Sequence, residues 1–363
     1  MEFSLLACAV AWFVGWVLLT RVRLLPAGRV PENVRLPTVS VVIPLANKAE
    51  SLPKLLASLR EQSIAPHEVI VMCDELNDET NQATKVMGAV AVATPPLPHG
   101  WNSKSWACWN GAQRATGQLL VFLDADVVPS FRLIERLLLA SAKYRGLISA
   151  QPYRGMDHMR ERLAAFVDLI TVMTRGLGSL IPVKKTRLAF GSCMACRRKD
   201  YFISGGHEAV RSSKVEDIAL ARKFSARGLG VSAFGGRGAI EIEGQRLKES
   251  SRNLAAQTLA GSFTRVVGTL FWLVGISITG VLAILWLLGF QRGFLIPVAV
   301  ALVVTQLWIM QRQQGNYGPG AALAFPINLV AFIGLFITSI FKKRKPKTQQ
   351  QNEQTPTTTS SGN

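Results

Sequence analysis

The stretch that decides the fold is QLLVFLDADVVPS, residues 118–130. Its apolar run 119–123 leads directly into Asp124 and Asp126, which are separated by one alanine. An unbroken apolar run is typical of a strand covered on both faces, the pattern of parallel sheets. Residues two apart on a strand point the same way, so the two carboxylates converge if strand geometry continues to residue 126. Such carboxylates repel each other, and a divalent cation that prefers oxygen ligands, Mg²⁺ or Mn²⁺, removes the conflict.

The sequence around this stretch alternates strand and helix signals over residues 39–150. Apolar or β-branched runs predict strands, and helical spacing or polar stretches predict the helices between them. The predicted strands are 39–45, 68–74 and 89–94 before the quoted one, and the predicted helices follow at 52–59, 77–87 and 103–116. Repeated units of this kind predict a doubly wound α/β sheet, which binds ligands at the carboxyl ends of its strands. Asp74 also ends a predicted strand, so one cleft is expected to collect it with the Asp124 and Asp126 pair.

The following region, residues 151–265, has a less regular pattern. Residues 159–174 have apolar side chains at helical spacing, and the pattern fits either a helix packed in the core or one lying in a membrane interface. Residues 212–230 predict a helix with serines at its start, Glu216 and Asp217 in its first turn and glycines at its end.

Both ends of the chain are apolar enough for membrane segments, since about 20 residues cross a bilayer as a helix. Four candidates are available: 3–20, 266–290, 293–310 and 321–341. The first lacks a basic region before it and has arginines after it, which predicts an uncleaved anchor with its carboxyl side in the cytoplasm.

The formal net charge is +18, which fits either nucleic acid or an anionic membrane surface as partner. The placement favours the membrane, because much of the excess flanks apolar segments: Arg21, Arg23, Arg29, Arg35, Lys342, Lys343, Arg344, Lys345 and Lys347. Three spans after a cytoplasmic domain would put the last basic cluster outside, against the usual tendency. Segment 293–310, which contains Pro297 and Gln306, is therefore a candidate re-entrant or interfacial segment.

The chain has five cysteines, and two of them form the CxxC pair CMAC at 193–196. No second pair or nearby histidine completes a zinc site in the sequence. The pattern predicts small, half-buried side chains in a reduced domain.

Several motifs occur in an order that resembles the membrane-bound family 2 glycosyltransferases. They are VVIPLANKAESLPKLLASL, VIVMCDELNDET, HGWNSKSWACWNG, FLDAD, GGHE and VEDIALARKF. The resemblance implies a Rossmann-like, GT-A type nucleotide-diphospho-sugar transferase domain at 38–260. It also implies an N-terminal transmembrane anchor at 1–21, C-terminal transmembrane segments at 266–341 and a disordered tail at 346–363.

The resemblance further implies roles for the residues that would bind the donor, a nucleoside-diphosphate sugar. Asp74 would face the nucleobase, and Asp124 would lie near the ribose and the metal. Asp126 would be the main protein ligand of Mg²⁺ or Mn²⁺, and Lys104 would approach the diphosphate. A metal and a lysine are suited to this task because a departing diphosphate develops negative charge.

On the acceptor side, the resemblance places Asp217 at the position of the catalytic base, with Glu216 beside it. An attacking hydroxyl must lose a proton, and a carboxylate within hydrogen-bond reach takes it. A single base without a second nucleophile predicts direct displacement with inversion. The QxxRW motif of processive polysaccharide synthases is missing after the acidic pair, which predicts transfer of one sugar.

Two motifs depart from the family pattern, at 47–50 and 74–78, and both touch the nucleotide pocket. The donor base and sugar are left open, and the acceptor is expected to be hydrophobic. Members that act on a carotenoid acid such as diaponeurosporenoate are the first resemblance, and hopanoid, sphingoid or other lipid glucosyltransferases are the second. A non-catalytic membrane scaffold is the alternative outside enzymology. The expected location is the cell membrane, multi-pass, with the catalytic domain in the cytoplasm.

Overall fold

The computed structural model describes most of the chain, with gaps in its loops and at its termini. The described residues are 2–45, 51–74, 78–86, 88–155, 162–181, 189–213, 215–242, 254–259, 261–290 and 294–341. The predicted disordered tail at 346–363 and the departing motif 47–50 lie outside them, as does most of the departing motif 74–78.

The described residues form ten strands in two sheets. The strands are β1 (Val39–Leu45), β2 (Glu68–Cys73), β3 (Val90–Ala93), β4 (Leu119–Leu123), β5 (Val127–Pro129), β6 (Leu147–Gln151), β7 (Tyr153–Arg154), β8 (Cys193–Arg197), β9 (Val231–Gly235) and β10 (Ile240–Ile242). The main sheet has seven strands in the order β3-β2-β1-β4-β8-β6-β9, and the small sheet has the order β5-β10-β7.

The main sheet is parallel except for one strand. β1 pairs in parallel with both β2 and β4, and β6 pairs in parallel with β9. The strands predicted from the repeated units, β1 to β4, pair in parallel as expected, and β8, which lies later in the chain, is antiparallel between β4 and β6. Because β8 opposes both neighbours, the carboxyl ends of β2, β4, β6 and β9 lie along one edge of the sheet.

The quoted stretch forms β4 as expected, and every residue from Leu119 to Leu123 is buried. The strand then stops. The chain turns at Ala125 and Asp126 and enters the small sheet as β5, which pairs antiparallel with β10. Strand geometry therefore does not continue to residue 126, so the condition of the same-side argument is not met.

The helices flank the sheet and build the terminal regions. They are α1 (Glu2–Leu18), α2 (Leu52–Arg60), α3 (Asp78–Val86), α4 (Ser103–Arg114), α5 (Leu133–Lys143), α6 (Arg162–Arg175), α7 (Arg198–Ile203), α8 (Glu216–Ala226), α9 (Leu254–Leu259), α10 (Phe263–Leu287), α11 (Leu295–Arg312), α12 (Pro319–Leu323) and α13 (Phe325–Phe341). α8 carries both acids in its first turn, as predicted, but its N-cap is Val215 and no serine side chain caps it.

The two alternatives for the amphipathic stretch at 159–174 are separated by its packing. α6 contacts α9, α10, α11 and α13, and its side chains belong to a buried cluster that also contains residues of those helices and of the end of α1. Phe166 and Ile170 are fully buried. α6 is therefore a core-packed helix, although the helices around it are the apolar terminal ones.

Among the described residues, two helices are long and apolar enough to cross a membrane, α10 and α11. This is weak evidence by itself, since a buried helix of a soluble protein passes the same test. The other apolar helical stretches, Leu6–Leu18 and α13, are shorter. α11 is continuous through Pro297, which lies in its first turn where proline is tolerated. Nothing in its geometry requires the re-entrant path, and the number and orientation of spans stay predictions.

An excised fragment of residues 38–260 is expected to lose much of its activity while it still binds nucleotide. The fragment removes α1, α10, α11 and α13, and these helices supply most of the apolar surface that buries α6. The core around β1 and β4 is formed by residues that the fragment retains, apart from Leu25. Nucleotide binding and transfer to a membrane-embedded acceptor are measured for fragment and full chain, and full activity of the fragment would contradict this.

Candidate active site

The acidic residues at the strand ends lie on one edge of the main sheet. Asp74 directly follows β2 and is exposed, and Asp124 directly follows β4 and is partly buried. β1 lies between the two strands, so the strand ends are about 10 Å apart, twice the spacing of neighbouring strands. Asp74 and Asp124 therefore lie at the same edge of the sheet, and their collection in one cleft stays a prediction.

Lys104 connects this edge to helix α8. It lies in the first turn of α4, whose N-cap Asn102 accepts a hydrogen bond from the backbone N–H of Ser105 at 2.7 Å. The Nζ of Lys104 is 2.8 Å from Oδ1 of Asp124 and 3.2 Å from Oε1 of Glu216. One ammonium group therefore bridges a predicted donor residue and a predicted acceptor-side residue.

The charges in this cluster influence one another. Burial lowers the pKa of Lys104, but the carboxylates of Asp124 and Glu216 outweigh burial and hold that pKa above its ordinary value. Burial raises the pKa of Glu216, the positive charge of Lys104 opposes the rise, and the neighbouring Asp217 adds to it. The cluster keeps its lysine charged and makes Glu216 a readier proton acceptor than an exposed glutamate.

Asp217 is held by three N–H groups. Its Oδ1 accepts from the backbone N–H of Ile218 at 2.8 Å, and its Oδ2 accepts from Gly191 at 3.1 Å. The third donor is Arg175, whose Nη1 is 3.4 Å from Oδ2. The position in the first turn of α8 also suits a negative charge, because the helix dipole is positive there. Asp217 is thus fixed in orientation by these donors.

Gly191 is the point where these groups approach the backbone most closely. A Cβ at this position would lie 3.3 Å from Nζ of Lys104 and 3.4 Å from Cβ of Asp217. A larger residue would have to push one of the two aside. The glycine therefore lets the lysine and the aspartate lie on either side of one short loop.

Sequence reasoning missed Arg175. It is the last residue of α6 and is 5% exposed, and its Nη1 also donates to the carbonyl of Ala189 at 2.6 Å. Its guanidinium lies over the ring of Phe190 at 4.7 Å from the centroid. The only signal in the sequence was a single arginine that ends a long apolar helical pattern, and its partner is 42 positions away.

Asp126 lies partly buried in the turn between β4 and β5. Within the part of the chain that the structure describes, no group of three or more histidine, cysteine, aspartate or glutamate side chains is arranged to hold a metal ion. The assignment of Asp124 and Asp126 as the carboxylates that would hold a metal at this edge stays a prediction.

The other residues singled out in the sequence have structural contacts. Trp101 and Trp106 pack edge to face with centroids 4.8 Å apart, and the indole N–H of Trp106 donates to a loop carbonyl. Arg198 donates to the carbonyl of Ala115 just beyond α4. Cys193 and Cys196 are free thiols on β8, and both are fully buried, which corrects the expectation of half-buried side chains.

His207 lies in a turn and is fully buried. Its Nδ1 is 2.9 Å from the hydroxyl of Tyr201, and its Nε2 has no hydrogen-bond partner among the described residues. Burial and the positive charge of Lys104 lower its pKa to about 3. The side chain is therefore neutral and packed, and no metal-ligand role is supported.

This histidine is expected to make the protein less stable on acidification. Its pKa is about 6.5 in an unfolded chain and about 3 in the folded protein. Between these values the unfolded state binds the extra proton, so stability falls as the pH falls, by up to about 1.4 kcal/mol per pH unit. Thermal unfolding of wild type and His207→Gln between pH 7 and pH 5 is the measurement. A variant with the same pH slope as wild type would contradict the assignment.

Comparisons with known proteins identify the family. Residues 40–202 match the description "Glycosyl transferase family 2". The chain is 33% identical over 291 residues to a 4,4'-diaponeurosporenoate glycosyltransferase of Staphylococcus haemolyticus (strain JCSC1435). The matched residues cover 77% of this chain and 74% of the relative. The chain belongs to glycosyl transferase family 2. It is a glycosyltransferase.

Further similarities agree with that family. A protein with the same name from Staphylococcus aureus (strain bovine RF122 / ET3-1) is 27% identical over 318 residues, with 83% of this chain and 84% of the relative covered. The solved mannosyltransferase PcManGT from Pyrobaculum calidifontis, in complex with GDP-Man and Mn²⁺, superposes with a TM-score of 0.53 at 15% identity, covering 93% and 96% of the chains. The glycosyltransferase therefore has the GT-A fold. The matched family region contains Asp74, Lys104, Asp124 and Asp126, and Asp217 lies beyond it.

Proposed function

We propose that this glycosyltransferase transfers a single sugar from a nucleoside-diphosphate sugar to a hydrophobic membrane acceptor, with metal dependence and inversion. The observation that supports the proposal most is the pair of contacts made by Lys104. Its ammonium contacts Asp124 on one side and Glu216 on the other. Donor-side and acceptor-side groups are thus within one charged cluster, which a single displacement requires.

The carboxylates that could bind a metal at this edge of the sheet fit Mg²⁺ or Mn²⁺. Asp124 and Asp126 offer hard carboxylate oxygens, and among the described residues no third histidine, cysteine or acid joins them in a group arranged to hold a metal. Magnesium commonly binds one or two carboxylates and completes its shell with water and substrate phosphates, without a full protein cage. When bound, the metal would neutralise charge on the diphosphate. Lys104 would approach the same diphosphate, and Asp74 and Asp124 would bind the nucleoside.

On the acceptor side we assign proton transfer and orientation to Asp217 and Glu216. Asp217 is fixed by backbone N–H groups, whereas Glu216 is held by Lys104. The site offers one pair of adjacent acids and no separate nucleophile in the cluster. Direct attack by the acceptor on the sugar, with inversion, suits that arrangement.

The proposed acceptor is a carotenoid acid such as diaponeurosporenoate, because the relatives carry that substrate in their names. The packing supports a hydrophobic acceptor. α6 ends at Arg175 beside Asp217, and its other side chains pack against the apolar helices α10 and α11. We place the protein in the cell membrane as a multi-pass protein with the catalytic domain in the cytoplasm. The division into anchor 1–21, catalytic domain 38–260 and C-terminal segments 266–341 remains part of this proposal.

The test is a transfer assay with purified full-length protein in detergent or nanodiscs. Each of UDP-glucose, UDP-galactose and GDP-mannose is offered with diaponeurosporenoic acid or with a hopanoid or sphingoid alcohol, in Mn²⁺, in Mg²⁺ and in EDTA. The expected product is a monoglycosyl ester of the acid, formed only with metal and with inverted anomeric configuration by NMR. Transfer to an alcohol alone would overturn the acceptor class. No transfer from any donor would favour the scaffold alternative.

A further inference from the structure

Arg175 is buried where helix α6 meets the catalytic cluster, and its contacts converge on one nitrogen. Nη1 donates to the carbonyl of Ala189 at 2.6 Å and lies 3.4 Å from Oδ2 of Asp217. Ala189 and Phe190 belong to the segment that ends in Gly191, and Gly191 itself donates to the same oxygen of Asp217. Arg175 therefore contacts both the carboxylate of Asp217 and the loop at Gly191 that orients this carboxylate.

A buried arginine with so few partners is costly unless the site uses its charge. The Nε of Arg175 has no hydrogen-bond partner among the described residues. The guanidinium face is covered by Phe190, which holds its plane in one orientation. Among the described residues, the buried charge of Arg175 is thus paired with the carboxylate of Asp217.

The end of α6 that carries Arg175 is held in place by a second arginine, which lies on the apolar helix α10. Arg265, in the first turn of α10, donates to the carbonyl of Arg175 at 3.5 Å and to the carbonyl of Ile181 at 3.1 Å. Gly176 has φ +72°, and a Cβ there would collide with the guanidinium of Arg265. A glycine in the left-handed region both ends α6 and admits the second arginine.

We propose that Arg175 is the positioning residue of Asp217 and that α10, through Arg265, holds Arg175 in place. Two arginines then connect a helix of membrane-crossing length to the acid beside the reacting atoms. This inference rests on the proposed role of Asp217 in transfer. It adds that the position of the catalytic carboxylate, Asp217, depends on how the terminal helices pack.

The test compares Arg175→Gln with a matched control in the full-length protein. Arg154→Gln also breaks a buried arginine–aspartate pair that involves α6, since Nε of Arg154 lies 2.6 Å from Oδ2 of Asp168 on that helix. With an alcohol acceptor, whose proton Asp217 would take, Arg175→Gln is expected to lower kcat about 10²-fold, the scale of a small misplacement of a catalytic group, with the KM for the donor nearly unchanged. Arg154→Gln is expected to lower the melting temperature without this loss of kcat.

Two further variants keep the inference testable if Arg175→Gln does not fold. Arg175→Lys retains a positive N–H donor and is expected to recover a large part of kcat, which a purely structural defect would not allow. Arg265→Gln is expected to lower kcat in the same direction by a smaller factor. Arg175→Gln and Arg154→Gln with the same kcat, or Arg175→Lys as inactive as Arg175→Gln, would overturn the inference.

Failure of the proposed function gives a different result. A wild-type protein without transfer activity would overturn that function, whatever the variants do. The positions of Asp217 in structures of wild type and a folded Arg175 variant then decide the inference alone. A displaced Asp217 supports it, and an unchanged Asp217 overturns it.

Discussion

Replacing Asp126 with alanine is expected to abolish sugar transfer, with a loss of at least about 10³-fold, the upper end for removal of one group that stabilises developing charge. Among the described residues no third acid, histidine or cysteine is arranged to help hold a metal. The two carboxylates of Asp124 and Asp126 therefore have no protein substitute, and the diphosphate would depart without its counter-charge. Donor binding should lose its dependence on metal at the same time.

The measurements are turnover and nucleotide binding by wild type and variants in Mn²⁺ and in EDTA. Asp124→Asn is expected to lose less than Asp126→Ala, because the asparagine keeps an oxygen for the ribose even though it gives up the ion pair with Lys104. Glu208→Ala, which removes an exposed carboxylate outside the cluster, controls for net charge. Near-normal turnover of Asp126→Ala with metal still required would exclude Asp126 as a ligand, and a reversed order would exchange the two roles.

The sequence predicted the strands better than the path between them. The apolar run before Asp124 predicted β4 correctly, because a short unbroken apolar run is typical of a strand covered on both faces. The turn at Asp126 could not be predicted, since it follows from pairing of β5 with β10 more than a hundred residues later. The antiparallel direction of β8 could not be predicted either, because the burial pattern of a strand does not show in which direction it runs.

For the candidate site, too, one part could be predicted from the sequence and another could not. Lys104, Asp124 and Glu216 were proposed from motifs, and the structure brings their charged groups together. Their roles in catalysis stay predictions. Arg175 was not proposed because an ion pair between residues 42 positions apart leaves no local pattern. Helix α6 was ambiguous for a related reason: an apolar face does not reveal whether protein or lipid covers it.

The amide variant Asp217→Asn is expected to distinguish acceptor classes. A hydroxyl acceptor must lose its proton as the new bond forms, and general-base help is worth about 10²–10⁴-fold. A carboxylic acid, with a reference pKa of about 4, is already ionised near neutral pH and needs no base. With an alcohol acceptor, Asp217→Asn should therefore lower kcat by about 10²–10⁴-fold, and with an acid of similar shape the loss should be much smaller.

The contacts of Asp217 explain how such a site can accept an ionised acid. Two carboxylates side by side repel each other, so an acid acceptor beside Asp217 needs a compensating positive charge. Arg175 supplies one at 3.4 Å, and Lys104 adds another through its contact with the neighbouring Glu216. Asp217 would then orient the loop at Gly191 and balance the arginine, and it would not take a proton.

The measurement is kcat for an acid and an alcohol acceptor at several pH values, in wild type and in Asp217→Asn, with Glu216→Gln as the paired variant. Asparagine preserves the size of the side chain but turns an N–H group toward one of the N–H donors that hold the carboxylate. Melting temperatures therefore show whether the variant remains folded. An equal and severe loss with both acceptors would mean that Asp217 acts through position and charge for every acceptor. The proton argument would then not separate the two classes. A loss confined to the alcohol would show that the same acid serves as a base only when the acceptor still has a proton to give.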